Sequence, residues 1–286
     1  MRFGDTKALK ELLDTHLDAS IISWIEEKLK GIIETASAKD LYMAYSLLSV
    51  EINPVKKLDA KGLNDKKLSN YLEAQKADTL QIARIYLLSK VLEENSAYFQ
   101  PKVSNLIQVA DSSELVTFLK FLILLPEPEN YKQAAVEALR TNIATVFDAI
   151  SADNPYPAAY FNDQQWNQMY LKAAFMQQEL SRIPNIDQRA NQDLTRIISD
   201  YAHERWAASR DVDPYFWRPV GDFLDDNLLE DMKRLLQSNR VAENRAGALC
   251  CYRSDNPKAE ALLNTNPNLK EGVIDGEITW LNLGEG

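Results

Sequence analysis

A chain of 286 residues with 45% hydrophobic side chains holds enough material for a large core, which excludes a disordered protein. Nine glycines set against abundant Leu, Ala, Glu, Lys and Gln favour helix over sheet. A formal net charge of −10 excludes the concentrated basic face that displaces counterions from nucleic acid, so no nucleic-acid partner is expected.

The opening MRFGDTKALKELLD puts charges where a signal peptide needs an apolar run, and the run Phe121 to Leu125 is far too short to span a bilayer. The expectation is a cytoplasmic protein without membrane insertion. Two helices fill Asp5 to about Glu34, with Leu9, Leu12, Leu13 and Leu17 inward on the first and Ile21, Ile22, Trp24, Ile25, Leu29 and Ile32 on the second. A third runs from about Lys39 to Val50 and is stopped by Asn53-Pro54. The charged stretch Lys56 to Lys67 has little periodicity and is the candidate mobile loop or lid.

Capping-box spacing then starts two helices, at Asp78/Gln81 before LQIARIYLLSKVLEE and at Asp111/Glu114 before LVTFLKFLILLP. The second is apolar nearly all round and is expected at the centre of the fold, with Lys120 snorkelling at its edge rather than serving a ligand. YKQAAVEALRTN and IATVFDAI follow, and DNPYP at 153–157 is the clearest internal boundary. Asn162 or Asp163 opens a helix with Trp166, Met169, Tyr170 and Ala173 on one face and Gln164, Gln168 and Lys172 on the other. That aromatic stripe reads as core packing.

The segment 187–210, DQRANQDLTRIISDYAHERWAASR, carries most of the residue types that could do chemistry. On a helical period Leu194, Ile197, Ile198, Tyr201 and Ala208 share one side, and Arg196, Asp200, His203, Ala207 and Arg210 the other. Arg205 projects into the apolar side, where its guanidinium must find an acceptor: a carboxylate of a neighbouring helix, or an anionic ligand group in a pocket. Asp200, His203 and Glu204 could present ligands from one helix face, but the second histidine of an H-E-x-x-H pattern is missing and His16 stands at no recognisable spacing, so no metal is expected. General acid/base work by His203, oriented by Asp200, is the alternative to a solvated face, with no nucleophile placed beside it. His203 and Arg205 lie about 160° apart around the helix, which argues against joint catalysis.

Asp213 caps a helix with Pro214 in its first position and the aromatic run Tyr215, Phe216, Trp217 before Arg218. The carboxylates Asp222, Asp225 and Asp226 lie where helix N-termini attract acidic residues, and one such cluster is a weak match to a Mg²⁺-diphosphate motif. VAENRAGALCCYRSD and NPKAEALLNT have the cadence of a HEAT-type pair, and the adjacent Cys250 and Cys251 read as small buried residues in a reducing compartment. In the tail GVIDGEITWLNLGEG, Asp275-Gly276 between β-branched runs suggests a hairpin or a partner-binding strand.

At DNPYPAAYF, WNQMYLKA, IDQRAN, SDYAHERWAASR and the pair Trp217-Arg218 the sequence resembles the EboA family, most specifically from about Thr145 to Arg218 and more loosely from Trp24 to Leu263. The resemblance implies a chain encoded in bacterial ebo gene clusters, beside proteins that resemble a UbiA-type prenyltransferase, a sugar-phosphate cyclase, metal-dependent TIM barrels and a nucleotide pyrophosphatase or phosphatase. Such clusters are associated with making or exporting a secreted small molecule. The family brings no assigned reaction, cofactor or residue role. The Lys56 to Lys67 loop and the tail around Trp280 depart from its pattern.

The resulting expectation is an all-α chain, an α-α superhelix of HEAT- or armadillo-like type with a short extended tail. Its parts are an N-terminal helical layer (1–152), a motif-rich segment (153–221), HEAT-like helices (222–265) and the tail (266–286), continuous up to 265. The leading function is a non-enzymatic scaffold or carrier, contacting cluster proteins or their small-molecule product through Arg205, Tyr201, Trp166, Asn167, Lys172, Arg189 and Asn191. The competing one is an enzyme on an isoprenoid or cyclitol-like intermediate, with His203, Asp200 and Glu204 moving protons. A purely structural subunit or regulatory binder is the third.

Overall fold

The computed structural model describes residues 6–284, and every regular element among them is helical. None of these helices is long and apolar enough to cross a membrane. The chain divides into two compact units, Met1–Tyr160 and Phe161–Gly286, with the boundary in the sequence falling within DNPYPAAYF.

The first unit holds α1 (Thr6–His16), α2 (Ala19–Thr35), α3 (Ala38–Glu51), α4 (Lys66–Ala74), α5 (Thr79–Ser104), α6 (Leu106–Val109), α7 (Ser112–Phe121), α8 (Lys132–Ala138), α9 (Ala144–Ser151) and α10 (Tyr156–Tyr160). Both expected capping boxes are present. Asp78 accepts from Gln81 N at 2.8 Å to open α5, and Asp111 accepts from Glu114 N at 2.9 Å to open α7. α7 is buried at Phe118, Leu119 and Phe121, but α5 is the element on which α1, α2, α3 and α7 all pack. Its first half is buried on every side from Ile82 to Ser89, whereas the apolar run at the end of α7 leaves the α-helix at Leu122. The Lys120 ammonium donates to the Gln75 carbonyl at 3.2 Å, so its role is to close a helix end.

The charged 56–67 stretch is fastened down. Leu58, Ala60 and Leu63 are buried, Leu58 N donates to Ala77 O and Thr79 N donates to Lys56 O. Three apolar side chains spaced along it anchor the loop despite its lysines, which differs from the lid expected of it.

The second unit holds α11 (Asp163–Phe175), α12 (Gln192–Ala207), a 3-10 segment (Pro214–Phe223), α13 (Asp226–Leu236), α14 (Val241–Arg253), α15 (Pro257–Asn264) and α16 (Pro267–Ile274). The 3-10 segment, capped by Asp213 as its sequence predicts, packs against α12 and α14 and buries Phe216 and Trp217 completely. α13 and α14 approach closely because Gly247 faces Leu235, whose Cβ would lie 3.0 Å from an added methyl. The expected extended tail is instead helical up to Ile274. Pro267 occupies the first turn of α16, and Gly276, at φ +74°, ends the helix rather than turning a hairpin. The remainder folds back: Ile278 N donates to Gly272 O, Ile278 and Leu283 are buried, and Arg245 holds the Asn282 carbonyl at 2.8 Å.

Candidate functional site: the groove between α12 and α13

Side chains of α12 reach α13 through one stripe. Ser199, His203 and Trp206 stand at i, i+4 and i+7, on a single helical face. Opposite them α13 presents Asp231 and Arg234, one turn apart. Asp231 is buried, and a buried carboxylate must be met by donors or a counter-charge. It accepts from Ser199 Oγ at 2.6 Å and lies 2.5 Å from His203 Nε2. The orienting carboxylate of His203 is therefore Asp231, not Asp200 or Glu204. Ser199 and His203 both bond to Asp231 rather than to each other, so Asp231 positions both.

Beyond the histidine, Trp206 carries a stack. It lies parallel to the buried Trp217 at 5.7 Å, the His203 ring lies 5.5 Å away, and the Arg234 guanidinium sits 4.1 Å over it. Two cavities open against this residue. One, of about 450 Å³, is lined by His203, Trp206, Ala207, Glu230, Asp231 and Arg234. The other, of about 690 Å³, is bounded by Trp206, Arg210, Lys233, Arg234 and Arg240 among others. Trp206, Glu230 and Arg234 line both, so the two chambers form one groove, of a size suited to a small molecule. A third cavity of about 290 Å³ lies at the other end of α12 and includes Asp200, Ser199 and Arg196.

The remaining residues expected at a site are placed elsewhere. Arg205 donates through Nε and Nη2 to the Asp211 carbonyl at 3.0 and 2.7 Å and lies over Tyr201. The acceptor the structure gives it is thus a backbone carbonyl and not a neighbouring carboxylate. The chain turns back after α12 and brings a free carbonyl within reach of the fork. Tyr201 meets Phe216 edge-on at 5.4 Å. Arg189 covers the buried Trp166 at 5.0 Å and donates to Phe161 O and Asp163. Asn167 and Asn191 exchange amide bonds at 3.0 and 2.9 Å, while Asn191 also caps α12 through Leu194 N. These four tie α11 to the start of α12. Lys172 stands in the last turn of α11, where burial lowers its ammonium pKa below the usual value. None of the seven residues expected to bind ligand lines the three cavities described.

Asp222 and Asp226 are taken up by Arg253 and Lys258, and Asp225 caps α13 through Leu228 N. No cluster of three metal-ligating side chains occurs among the described residues. Cys250 is buried and donates to Trp217 O, and burial raises its thiol well above the usual range.

An ion network ties the segment before α12 to the 3-10 segment and to α14. Asp187 takes a two-point bond from Arg218 at 3.0 and 2.7 Å and a further contact from Arg253 at 2.8 Å. Burial would raise the Asp187 carboxyl, but the two guanidinia outweigh it and hold the carboxyl below its ordinary value. Asp187→Asn is expected to cost about 1–3 kcal/mol at neutral pH. Because the native pKa is depressed, this stabilisation is complete above the ordinary carboxylate value of 3.8 and is lost as pH falls through the native one. Urea titrations should therefore show wild type and variant converging below about pH 4. A gap that persists unchanged in acid would contradict the pairing.

Among the described residues the chain is all-helical, and its second unit carries an aromatic and guanidinium-lined groove. The family model described as metabolite traffic protein EboA matches residues 6–221, and the chain belongs to the EboA family. The match takes in α12 with His203 and Trp206, and Arg210 after it, and stops before α13, which supplies Asp231 and Arg234. No curated protein and no solved structure matches the chain.

Proposed function

We propose that this chain is a carrier that holds a small molecule in the α12–α13 groove, in the cytoplasm, and supports synthesis or export of a product of its accompanying genes. The observation that carries the reading is Trp206. It is half-buried, stacked on a fully buried indole, and stands at the junction of two cavities. A large ring held this way offers a preformed flat surface at little cost in side-chain entropy. The EboA family description, metabolite traffic, agrees with a binding role. The partners would be the prenyltransferase-like or metal-dependent cluster proteins that make or receive the ligand. A HEAT-type arrangement of the carboxy-terminal helices belongs to this reading, supported by α13, α14, α15 and α16 each packing on the next.

The test is native mass spectrometry of the chain purified after expression with its neighbouring genes and after expression alone. A small molecule retained only from the first preparation is the expected result. A co-purifying protein with no small molecule would make the chain a scaffold and remove the carrier role.

A second reading, an enzyme on an isoprenoid or cyclitol-like intermediate, is favoured by one observation: His203 stands in the groove with its Nε2 held by a buried carboxylate, the arrangement that orients an imidazole for proton transfer. Here His203→Gln should abolish turnover without releasing the ligand. Product formation at the wild-type rate in the folded variant would eliminate this reading.

A further inference from the structure

The charges around the larger chamber do not cancel. Its lining includes Arg210, Lys233, Arg234 and Arg240, with Asp211, Glu230 and Glu243 as the acidic side chains. Arg240 is engaged by Asp211 at 3.2 Å and by Glu243 at 2.9 Å, and Lys233 lies 3.6 Å from Glu230. All three carboxylates are thereby spoken for. Among the described residues no carboxylate pairs with Arg210 or Arg234, in a chain whose net charge is −10.

Arg234 is also oriented. A guanidinium stacks through its face and donates hydrogen bonds in its plane, so lying 4.1 Å over Trp206 fixes the fork without consuming its donors. The in-plane N–H groups stay available for a two-point acceptor, which is the geometry of a phosphate or carboxylate. Besides the shared Trp206, Glu230 and Arg234, the smaller chamber is lined by Ala207, the imidazole of His203 and Asp231, whose carboxylate is taken up by His203 and Ser199, leaving the two rings as a setting for a flat body.

We infer that the groove takes an amphipathic oxyanion: a small molecule whose phosphate or carboxylate is held by Arg234 and Arg210 and whose flat body lies along Trp206 toward His203. This rests on the carrier reading of the same groove and supplies its ligand class. Arg210 lies within the residues that the family model matches and Arg234 beyond them.

The probes are phenyl phosphate, benzoate and inorganic phosphate, titrated calorimetrically into the full chain at low ionic strength, where an exposed guanidinium is least screened. Phenyl phosphate or benzoate is expected to bind more tightly than inorganic phosphate, and whichever of the two is tighter identifies the head group. Arg234→Gln and Arg210→Gln are exposed substitutions and should each weaken the tighter probe about tenfold. Arg196→Gln, an exposed arginine of the third cavity, should leave it unchanged. No binding of either aromatic anion, or equal binding by Arg234→Gln and wild type, overturns the inference. The carrier reading fails separately, when no small molecule is retained from co-expression with the neighbouring genes.

Discussion

Glutamine in place of Glu114 is expected to destabilise the first unit by about 3–5 kcal/mol, the largest single effect in the molecule. Arg84 on α5 and Glu114 on α7 are 2% and 8% exposed and stand 3.7 Å apart. A guanidinium cannot lose its charge on burial, so it depends on acceptors. Arg84 has the Tyr45 carbonyl at 3.2 Å and the face of the Tyr45 ring at 5.1 Å, but Glu114 is its counter-charge. Glutamine also serves in a capping box, so the α7 cap to Asp111 N survives and the loss isolates the charge. The pair should show strong coupling: Arg84→Met combined with Glu114→Gln restores much of what the single change removes. Urea unfolding of the two single variants and the double variant measures this directly. A Glu114→Gln protein within about 1 kcal/mol of wild type would mean that the pair contributes little.

Asp231→Ala is expected to cost about 2–4 kcal/mol and to uncouple α12 from α13. Its carboxylate is the shared acceptor of Ser199 and His203, and charge-assisted hydrogen bonds to a buried acceptor are among the strong ones. His203 is largely exposed and recovers water when the partner is removed, which keeps the cost below that of the Arg84 site. Proton NMR should show the His203 ring losing its fixed environment, and ligand retention should fall with it. Unaltered His203 resonances in Asp231→Ala would contradict the arrangement.

The helical character, both capping boxes and the Asp213 cap were legible in the sequence because each rests on residues within four positions of one another. The site was legible by halves. His203 stood out as one of two histidines, but periodicity counted outward-facing residues as solvated. It left Trp206 unassigned, although the spacing Ser199, His203, Trp206 marks a stripe able to face another helix. Asp231 and Arg234 gave no local signal, since an amphipathic α13 explains both until α12 is laid beside it. Arg205 shows the limit from the other side: its charge on an apolar helix face predicts a partner on another helix or a ligand, and a turn six residues on supplies a backbone carbonyl. The tail failed because glycine at positive φ serves a helix end as readily as a hairpin.

The carrier account stands most directly on Trp206, and one comparison tests it. Wild type and Trp206→Ala, each purified after co-expression with the neighbouring genes, are weighed by native mass spectrometry, with circular dichroism to establish that the variant is folded. The account predicts a retained small molecule in the wild-type protein and its loss from the variant. The same molecule held equally by both would place its binding elsewhere and contradict the groove as its site.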